Sequence, residues 1–395
     1  MISVDEAIEL ILEHRQHFSI ETVPLSEALG RRLASPIHAN LTQPPAAVSA
    51  MDGYAVRLAD VETEGAKLHV IGDAPAGTPF QGEISIGEAV RIFTGGYVPM
   101  GADHIVIQED VDRDGDAIVC RYAYSRPSHI RSAGRDFCTG DLLINAGTRL
   151  GPAELTVAAA ANHPDVDVYK RPKVALLTNG NELRPPGSEL QPGEIVSSNP
   201  FGLGALITDW GGLTLKTIHA SDSSAAITKA LESLSEADII VPIGGASVGD
   251  HDHMRSAFAE ADFEPVFAKI AVRPGKPTWF SKRRNQLCLG LPGNPASALV
   301  CAHLFLKVLI GGADHLETKT AILATNIAAN RTRETFIRAT AELNRGGVLE
   351  VTPLPDQDSS LMTPFLKANV LIPRKPQMPA SGAGELTEIL FIGSV

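Results

Sequence analysis

The chain has 395 residues, of which 44% are hydrophobic and 20% charged, and its formal net charge is −12. This length predicts roughly two to four domains. The negative charge disfavours a broad nucleic-acid interface. No apolar run approaches the roughly 20 residues of a membrane-spanning helix. Because the first residues also lack the basic start and apolar stretch of a signal peptide, we expect a cytoplasmic protein that binds neither nucleic acid nor membrane.

The N-terminal part of the chain predicts two helices and then a β domain. Apolar residues at helical spacing predict an amphipathic helix over residues 3–17, which Ser3 and Glu6 begin as a capping box. A second short helix is expected over residues 25–33. From about residue 40, alternating runs separated by turn residues predict a mostly β domain, with strands at 68–71, 89–93, 104–107 and 117–120. An Ala-rich helix is expected at 152–161, where Pro152 fits the first turn.

Residues 171–310 predict a different architecture, in which apolar strands alternate with helices. The predicted strands are 173–178, 238–243 and 287–291, and the predicted helices are 200–210, 225–234 and 295–310. Such alternation, with strands apolar throughout, is typical of a doubly wound α/β domain. Residues 318–395 return to short strands and turns, which predict a small terminal β domain. The fold class is therefore multidomain, α/β plus β.

Three turn-rich segments follow the three predicted strands, at 178–183, 244–252 and 291–297. In open α/β sheets, ligands bind beyond the carboxyl ends of the strands. Glycine-rich turns let backbone N–H groups approach a phosphate, and a helix N-terminus favours an anion. One such segment alone is usually an ordinary tight turn, but three together predict a shared phosphate-binding cleft. Its candidate residues are Gly244, Gly245, Ser247, Gly249, Pro292, Gly293, Asn294 and Ser297.

Acidic side chains recur near these turns. Carboxylate oxygens bind hard divalent cations such as Mg²⁺, often together with substrate phosphates. A single aspartate in a loop is usually a solvated turn residue or a cap, whereas this group predicts a metal site built from Glu182, Asp222 and Asp252. His251 and His253 flank Asp252, but on an alternating segment they would point away from it. We therefore do not expect them to be ligands.

A basic segment covers residues 269–277. If residues 269–273 form a strand, Lys269 and Arg273 share one face, and Lys276 follows just past the turn. The residues leave two alternatives open, an exposed strand with solvated charges and a local anion site. A negatively charged protein that binds phosphate or another oxyanion needs such a local cluster.

Segments of the β domain add polar groups at turns and strand ends, although the residues alone assign them no reaction. Five segments, in this order along the chain, are similar to signatures of the molybdopterin molybdenumtransferase (MoeA) family, to which the C-terminal domain of gephyrin is related. They read SAMDGYA at 49–55, RIFTGG at 91–96, PMGAD at 99–103, GGASVGDHD at 244–252 and LPGNPASA at 291–298.

The resemblance implies a reaction in which molybdate and adenylylated molybdopterin give molybdenum cofactor and AMP, with Mg²⁺ or another divalent cation. It also implies a homodimer whose active cleft lies between the α/β domain of one subunit and the SAMDGYA-bearing domain of the other. Molybdopterin adenylyltransferase and apo-molybdoenzymes are possible partners. The implied domains are 1–42 with 137–170 for linking and dimerisation, 43–136 with SAMDGYA, 171–315 for molybdopterin binding, and 316–395.

The resemblance also assigns roles by position. The implied catalytic residues are Asp52, Thr94, Asp136, Glu182 and Asp222. The implied substrate-binding residues, besides those of the phosphate-binding turns, are Asp252, Lys269, Arg273, Lys276, Arg338 and Ser359.

The chain departs from the family pattern at three positions. Asn181 stands where the family allows aspartate, Arg273 where lysine is frequent, and Val48 where asparagine is common. Two other functions remain open. A molybdopterin adenylyltransferase would lack the SAMDGYA domain and the terminal β domain, and a non-catalytic scaffold would retain the fold without the reaction.

Overall fold

The computed structural model describes residues 1–15, 19–244, 253–311, 316 and 318–393. The chain divides into two compact units, one of Met1–Ser19 with Lys170–Val395 and one of Ile20–Tyr169. Helix α1 (Val4–His14) begins at the predicted capping box, and its buried residues join the core of the first of these units. The start of the chain therefore packs with the α/β region, and the predicted domain boundaries stay a prediction. No helix among the described residues is long and apolar enough to cross a membrane.

The unit Ile20–Tyr169 contains one six-stranded sheet and three two-stranded ones. Its strands are β1 (Ile20–Pro24), β2 (Ile37–His38), β3 (Val48–Ser49), β4 (Gly53–Val56), β5 (Lys67–Ala74), β6 (Glu88–Ile92), β7 (His104–Ile107), β8 (Val111–Asp114), β9 (Ala117–Cys120), β10 (Ile130–Arg131), β11 (Leu142–Ile144) and β12 (Asp165–Tyr169). The large sheet has the order β7-β4-β6-β5-β9-β8. Apolar side chains are buried on both of its faces, which confirms the predicted β domain.

The remainder of this unit has its own core, made where helix α2 (Pro152–Ala160) meets the short strands. Strand β1 pairs with β12, β2 with β11 and β3 with β10. The helix predicted over residues 25–33 is wrong, because only a 3-10 turn forms at Leu25–Glu27. Gly30 has a φ of +72°, outside the helical range, and Leu33 bridges Val168 instead.

The α/β region of the other unit has a six-stranded sheet. The elements of this region are, in chain order, β13 (Lys173–Asn179), β14 (Leu183–Arg184), β15 (Ile195–Val196), α3 (Asn199–Asp209), β16 (Leu213–Ala220), α4 (Ser224–Glu232), β17 (Ile239–Ile243), α5 (His253–Glu260), β18 (Glu264–Phe267), β19 (Val272–Arg273), β20 (Trp279–Arg283) and β21 (Gln286–Gly290). Strands β14 and β15 form a separate parallel pair, and β19 does not belong to the six-stranded sheet. The order is β16-β13-β17-β21-β20-β18, and the first four strands are parallel. The three predicted strands are therefore neighbours, with their carboxyl ends at one edge.

The helix predicted over residues 295–310 forms in three parts. Helix α6 (Pro295–Cys301) continues through a π-helical turn at Ala302–Leu306 into α7 (Lys307–Gly311). This helical stretch is buried almost throughout, and α1 contacts its later part. Its first residues follow the third predicted turn directly, so the α/β core fixes the position of that turn.

The terminal β domain is a closed ring of five strands, β22 (Thr318–Leu323), β23 (Glu334–Leu343), β24 (Leu349–Pro353), β25 (Val370–Arg374) and β26 (Leu386–Phe391). Each strand pairs with two others in the order β23-β24-β22-β26-β25, and β25 pairs back with β23. Strand β19 adds to β23 in parallel, Arg273 opposite Thr335. The expected strand at 269–273 is thus shorter than predicted, although Ile270 and Val272 are buried as its alternation requires.

Candidate active site

Described residues from each of the three predicted turns line one cavity of about 1270 Å³. Its lining includes Thr178 and Asn179 at the end of β13 with Glu182 after it, Ile243 at the end of β17 with Gly244 after it, and residues 292–295 with Ser297 after β21. The opposite wall comes from the β barrel, at residues 327–331, 335–337 and 357–360 together with Arg333 and Arg374. The predicted cleft beyond the carboxyl ends of the strands is therefore present, and the barrel closes it.

The second and third turns touch through their glycines. A Cβ built on Gly293 would lie 3.4 Å from Cα of Gly244, and the N–H of Gly244 donates to the carbonyl of Leu291 at 3.0 Å. Asn199 Nδ2 donates to the carbonyl of Gly293 at 2.8 Å. The turns can approach so closely because neither glycine carries a side chain. Gly245, Ser247, Gly249 and Asp252, which were predicted to bind substrate or metal, lie outside the described residues.

Glu182 and Asp222 differ in what their carboxylates contact. Asp222 accepts hydrogen bonds from Asn179 Nδ2 at 2.6 Å and from the N–H of Asn181 at 3.2 Å, so it joins the first turn to the end of β16. The carboxylate of Glu182 lies over Gly180, where an added Cβ would be 2.6 Å from Oε2. Glu182 lines the cavity, whereas Asp222 does not. Asp222 thus positions the turn that carries Glu182.

The predicted metal site involves only two described carboxylates, since Asp252 lies outside the described residues. In the described part of the chain, no three His, Cys, Asp or Glu side chains lie close enough together to hold a metal ion. The divalent cation stays a prediction.

The basic wall of the cavity differs from the predicted one. Arg273 and Lys276 line the cavity, but Lys269 does not. Arg331, Arg333 and Arg374 line it as well, and the sequence analysis missed all three. Arg333 comes directly before β23 and two residues before Thr335, which also lines the cavity, and this spacing was the signal that could have pointed to Arg333.

Arg338 binds the loop of the barrel that contains Ser359. Arg338 is only 2% exposed, and its guanidinium donates to the carbonyls of Asp358 at 2.9 Å and Leu361 at 3.0 Å. Burial lowers the pKa of Arg338. Ser359 lines the cavity, and its hydroxyl accepts a hydrogen bond from Asn294 Nδ2 at 3.1 Å. Arg338 therefore holds the loop that presents Ser359 to the third turn.

In the unit Ile20–Tyr169, the SAMDGYA segment is bonded to the RIFTGG segment. Asp52 Oδ1 accepts from the N–H of Thr94 at 2.7 Å and from its hydroxyl at 2.9 Å. Arg91 Nη1 donates to the carbonyl of Gly53 at 3.0 Å. The bonds from Thr94, first the N–H and then the hydroxyl, lower the pKa of the Asp52 carboxyl.

Asp136 is exposed on a loop of the same unit, and its backbone N–H donates to the carbonyl of Gln43 at 3.0 Å.

Replacing Thr94 by Val removes the hydroxyl bond and leaves the N–H bond, so we expect the pKa of Asp52 to rise towards its usual value. The bonds favour the charged form. Their stabilising effect is therefore present above the ordinary pKa of aspartate and is lost as pH falls through the lowered one. A ¹³C NMR titration of the carboxyl groups measures the pKa of Asp52. Asp112, whose pKa Arg121 lowers, is the internal control, and an unchanged Asp52 titration in Thr94→Val would contradict the prediction.

Known proteins match the chain over almost its whole length. Residues 2–162 match the MoeA N-terminal region (domain I and II), 175–311 a probable molybdopterin binding domain, and 320–392 the MoeA C-terminal region (domain IV). A protein from Haemophilus influenzae named molybdopterin molybdenumtransferase is 34% identical over 402 residues, which cover 98% of either chain. The chain belongs to the molybdopterin molybdenumtransferase (MoeA) family.

Other members agree with this assignment. Molybdopterin molybdenumtransferase 2 from Mycobacterium tuberculosis is 34% identical over 89% of this chain and 91% of its own. A crystal structure of a molybdopterin biosynthesis MoeA protein from Pyrococcus horikoshii OT3 superposes with a TM-score of 0.83 at 27% identity, covering 99% of this chain and 100% of that one. The family and the multidomain fold expected from the five segments are confirmed.

Proposed function

We propose that this MoeA family member inserts molybdate into adenylylated molybdopterin, releasing AMP and yielding molybdenum cofactor. The observation that carries the proposal is a cavity in which the turns at the ends of three parallel strands face a basic wall. Such turns suit the phosphates of the pterin nucleotide, and the basic wall suits a free oxyanion. Both substrates are anions, and the cavity exceeds the roughly 300–1,000 Å³ of most small-molecule sites.

The residues on the two sides of the cavity have different roles in this proposal. Gly244, Gly293, Asn294 and Ser297 lie along the phosphate side, and Arg273 and Lys276 neutralise oxyanion charge from the basic side. Asp222 orients the turn of Glu182 through its bonds to Asn179 and Asn181. No serine or cysteine nucleophile is needed, and burial raises the pKa of the Cys301 thiol, which lies behind Gly275, to about 12 and so disfavours its thiolate.

The donor set fits a magnesium ion that takes few ligands from the protein. Among the described residues, no donor lies within hydrogen-bond distance of the Glu182 carboxylate, whereas Asp222 already accepts two bonds. Mg²⁺ is usually bound by one or two carboxylates together with waters and substrate phosphates. When bound, it would neutralise charge on the phosphoanhydride as AMP leaves. Glu182 would hold the ion, and Asp252, another predicted ligand, lies outside the described residues.

We further propose a cytoplasmic homodimer in which Asp52, Thr94 and Asp136 of one subunit complete the cavity of the other. The support is the family membership and the bonded pair of Asp52 and Thr94, which forms a polar site at a turn without contributing to a core. Molybdopterin adenylyltransferase, which makes the adenylylated substrate, and apo-molybdoenzymes, which take the product, are the partners expected of such an enzyme.

Incubation of the purified chain with adenylylated molybdopterin, molybdate and Mg²⁺ tests the proposal. We expect AMP release and active cofactor, assayed by reconstitution of an apo-molybdoenzyme, without any further protein. If the wild-type chain binds the pterin but releases no AMP, it is a binding scaffold and the proposal is wrong. Full activity of Asp136→Ala would exclude the role of that residue in the reaction.

A further inference from the structure

The segment that follows Glu182 folds back on itself as a short arm, residues 183–196. Its two strands, β14 and β15, pair in parallel, and residues of both line the cavity. The N–H of Ile195 donates to the carbonyl of Glu182 at 2.9 Å, and the N–H of Ser197 donates to the carbonyl of Arg184 at 2.8 Å. The arm therefore forms the cavity wall next to Glu182 and holds its peptide group.

The side chain of Arg184 binds the backbone on both sides of Glu182. Its Nη1 donates to the carbonyl of Asn181 at 3.0 Å and to the carbonyl of Leu183 at 2.9 Å. Since the carbonyl of Glu182 accepts from β15, all three consecutive carbonyls of this turn have a donor. Asp222 accepts from the N–H of Asn181. The backbone around Glu182 is thus fixed by two charged side chains that do not line the cavity.

Glu194, at the far end of the arm, holds the guanidinium of Arg184 in this position. Arg184 Nη2 lies 2.5 Å from Glu194 Oε1, and Glu194 Oε2 accepts from the N–H of Gln191 at 2.8 Å. The bond from Gln191 and the charge of Arg184 lower the pKa of Glu194. Both side chains of the pair are partly buried, where salt screens a charge pair less than on an open surface. The planar fork of Arg184 therefore directs one nitrogen to the backbone and the other to a carboxylate.

We propose that Arg184, held by Glu194, is a positioning residue that fixes the place of the Glu182 carboxylate in the cavity. Neither Arg184 nor Glu194 lines the cavity, so the pair acts on the reaction only through the turn. A displacement of about 1 Å at a reacting group is enough to slow a reaction strongly. This inference rests on the proposed function, which gives the Glu182 carboxylate its role in the reaction.

The initial rate of AMP release by the full chain tests the positioning role. Arg184→Gln should lower kcat about tenfold and leave the KM of the pterin nucleotide within about twofold, because Arg184 positions a reacting group without binding substrate. Arg184→Lys, which keeps the charge and loses the fork, should lose less, and so should Glu194→Gln. Glu189→Gln is the matched control, since Glu189 is exposed in the same arm and does not line the cavity.

Combination with Glu182→Gln decides whether Arg184 acts through Glu182. If it does, adding Arg184→Gln to Glu182→Gln should change the rate by less than about twofold, because no carboxylate remains to be positioned. A loss in the double variant as large as the loss that Arg184→Gln causes alone would mean that Arg184 acts independently of Glu182. That result would overturn the proposal.

Amide hydrogen exchange separates this inference from the proposed function. The amides of Ile195 and Ser197 should exchange faster in Arg184→Gln than in Glu189→Gln, because the arm opens more readily. Unchanged exchange of both amides would overturn the inference even in an active enzyme. If the wild-type chain releases no AMP, the proposed function is refuted, and faster exchange in Arg184→Gln would still support the hold of Arg184 on the turn.

Discussion

Replacing Glu182 by Gln is expected to slow AMP release by about 100-fold or more, the scale for removing a charged group that acts at the reacting atoms. Glu182 is one of two described carboxylates lining the cavity, and the other, Asp358, already accepts bonds from Ser360. Glutamine has the same shape without the charge. The measurement is the initial rate of AMP release at saturating substrates. The unfolding midpoint of the same variant shows whether it is as stable as the wild type.

Two further variants separate charge from position. Gly180→Ala keeps the Glu182 carboxylate but places a Cβ 2.6 Å from its Oε2, at a residue whose φ is +141°. It should also lower the rate, because the carboxylate must move. Glu189→Gln is the control, an exposed glutamate on the following loop that does not line the cavity. A Glu182→Gln enzyme within twofold of Glu189→Gln would remove Glu182 from the mechanism.

Local patterns predicted the phosphate side of the cavity because each of its parts is contiguous in sequence. At the third turn, the buried strand β21, the turn and the start of α6 follow one another directly, and the parallel order of β13, β17 and β21 joins the three turns. The capping box at Ser3 is equally local and was predicted correctly. By contrast, β16 was missed as an edge strand whose residues are mostly not buried, so it lacks the apolar run of a central strand.

The basic wall could be predicted only in part because long-range pairing builds it. Alternation of buried and exposed residues correctly predicted that the Arg273 side chain is exposed. It could not predict which strand lies beside β19. The pairing of β19 with β23 decides that Thr335 lies opposite Arg273, and closure of the barrel decides that Arg374 lies on the other side of Thr335. Arg338 shows the converse: the family pattern marked the residue, and only the structure shows its guanidinium donating to loop carbonyls.

Gly275→Ala is expected to cost about 3–5 kcal/mol of unfolding free energy, from overpacking and a left-handed backbone together. Gly275 has a φ of +114°, and a Cβ there would lie 2.1 Å from Cys301 Sγ in α6. It lies in the turn between Arg273 and Lys276, and its carbonyl accepts from the Thr278 hydroxyl at 2.7 Å. Relief of the collision must shift that turn, so molybdate binding should weaken as well.

Two matched variants divide this cost. Gly187 has a φ of +89° with nothing near its added Cβ, so Gly187→Ala carries the backbone strain alone, about 1–2 kcal/mol. Cys301→Ala removes the colliding sulfur at about 1 kcal/mol. The Gly275→Ala/Cys301→Ala double variant should then lose less unfolding free energy than the two single variants lose in sum. It should also recover molybdate affinity. Urea unfolding and calorimetry measure both. If Gly275→Ala costs no more than Gly187→Ala, the sulfur does not fix the turn, and the position of Arg273 and Lys276 depends on the backbone alone.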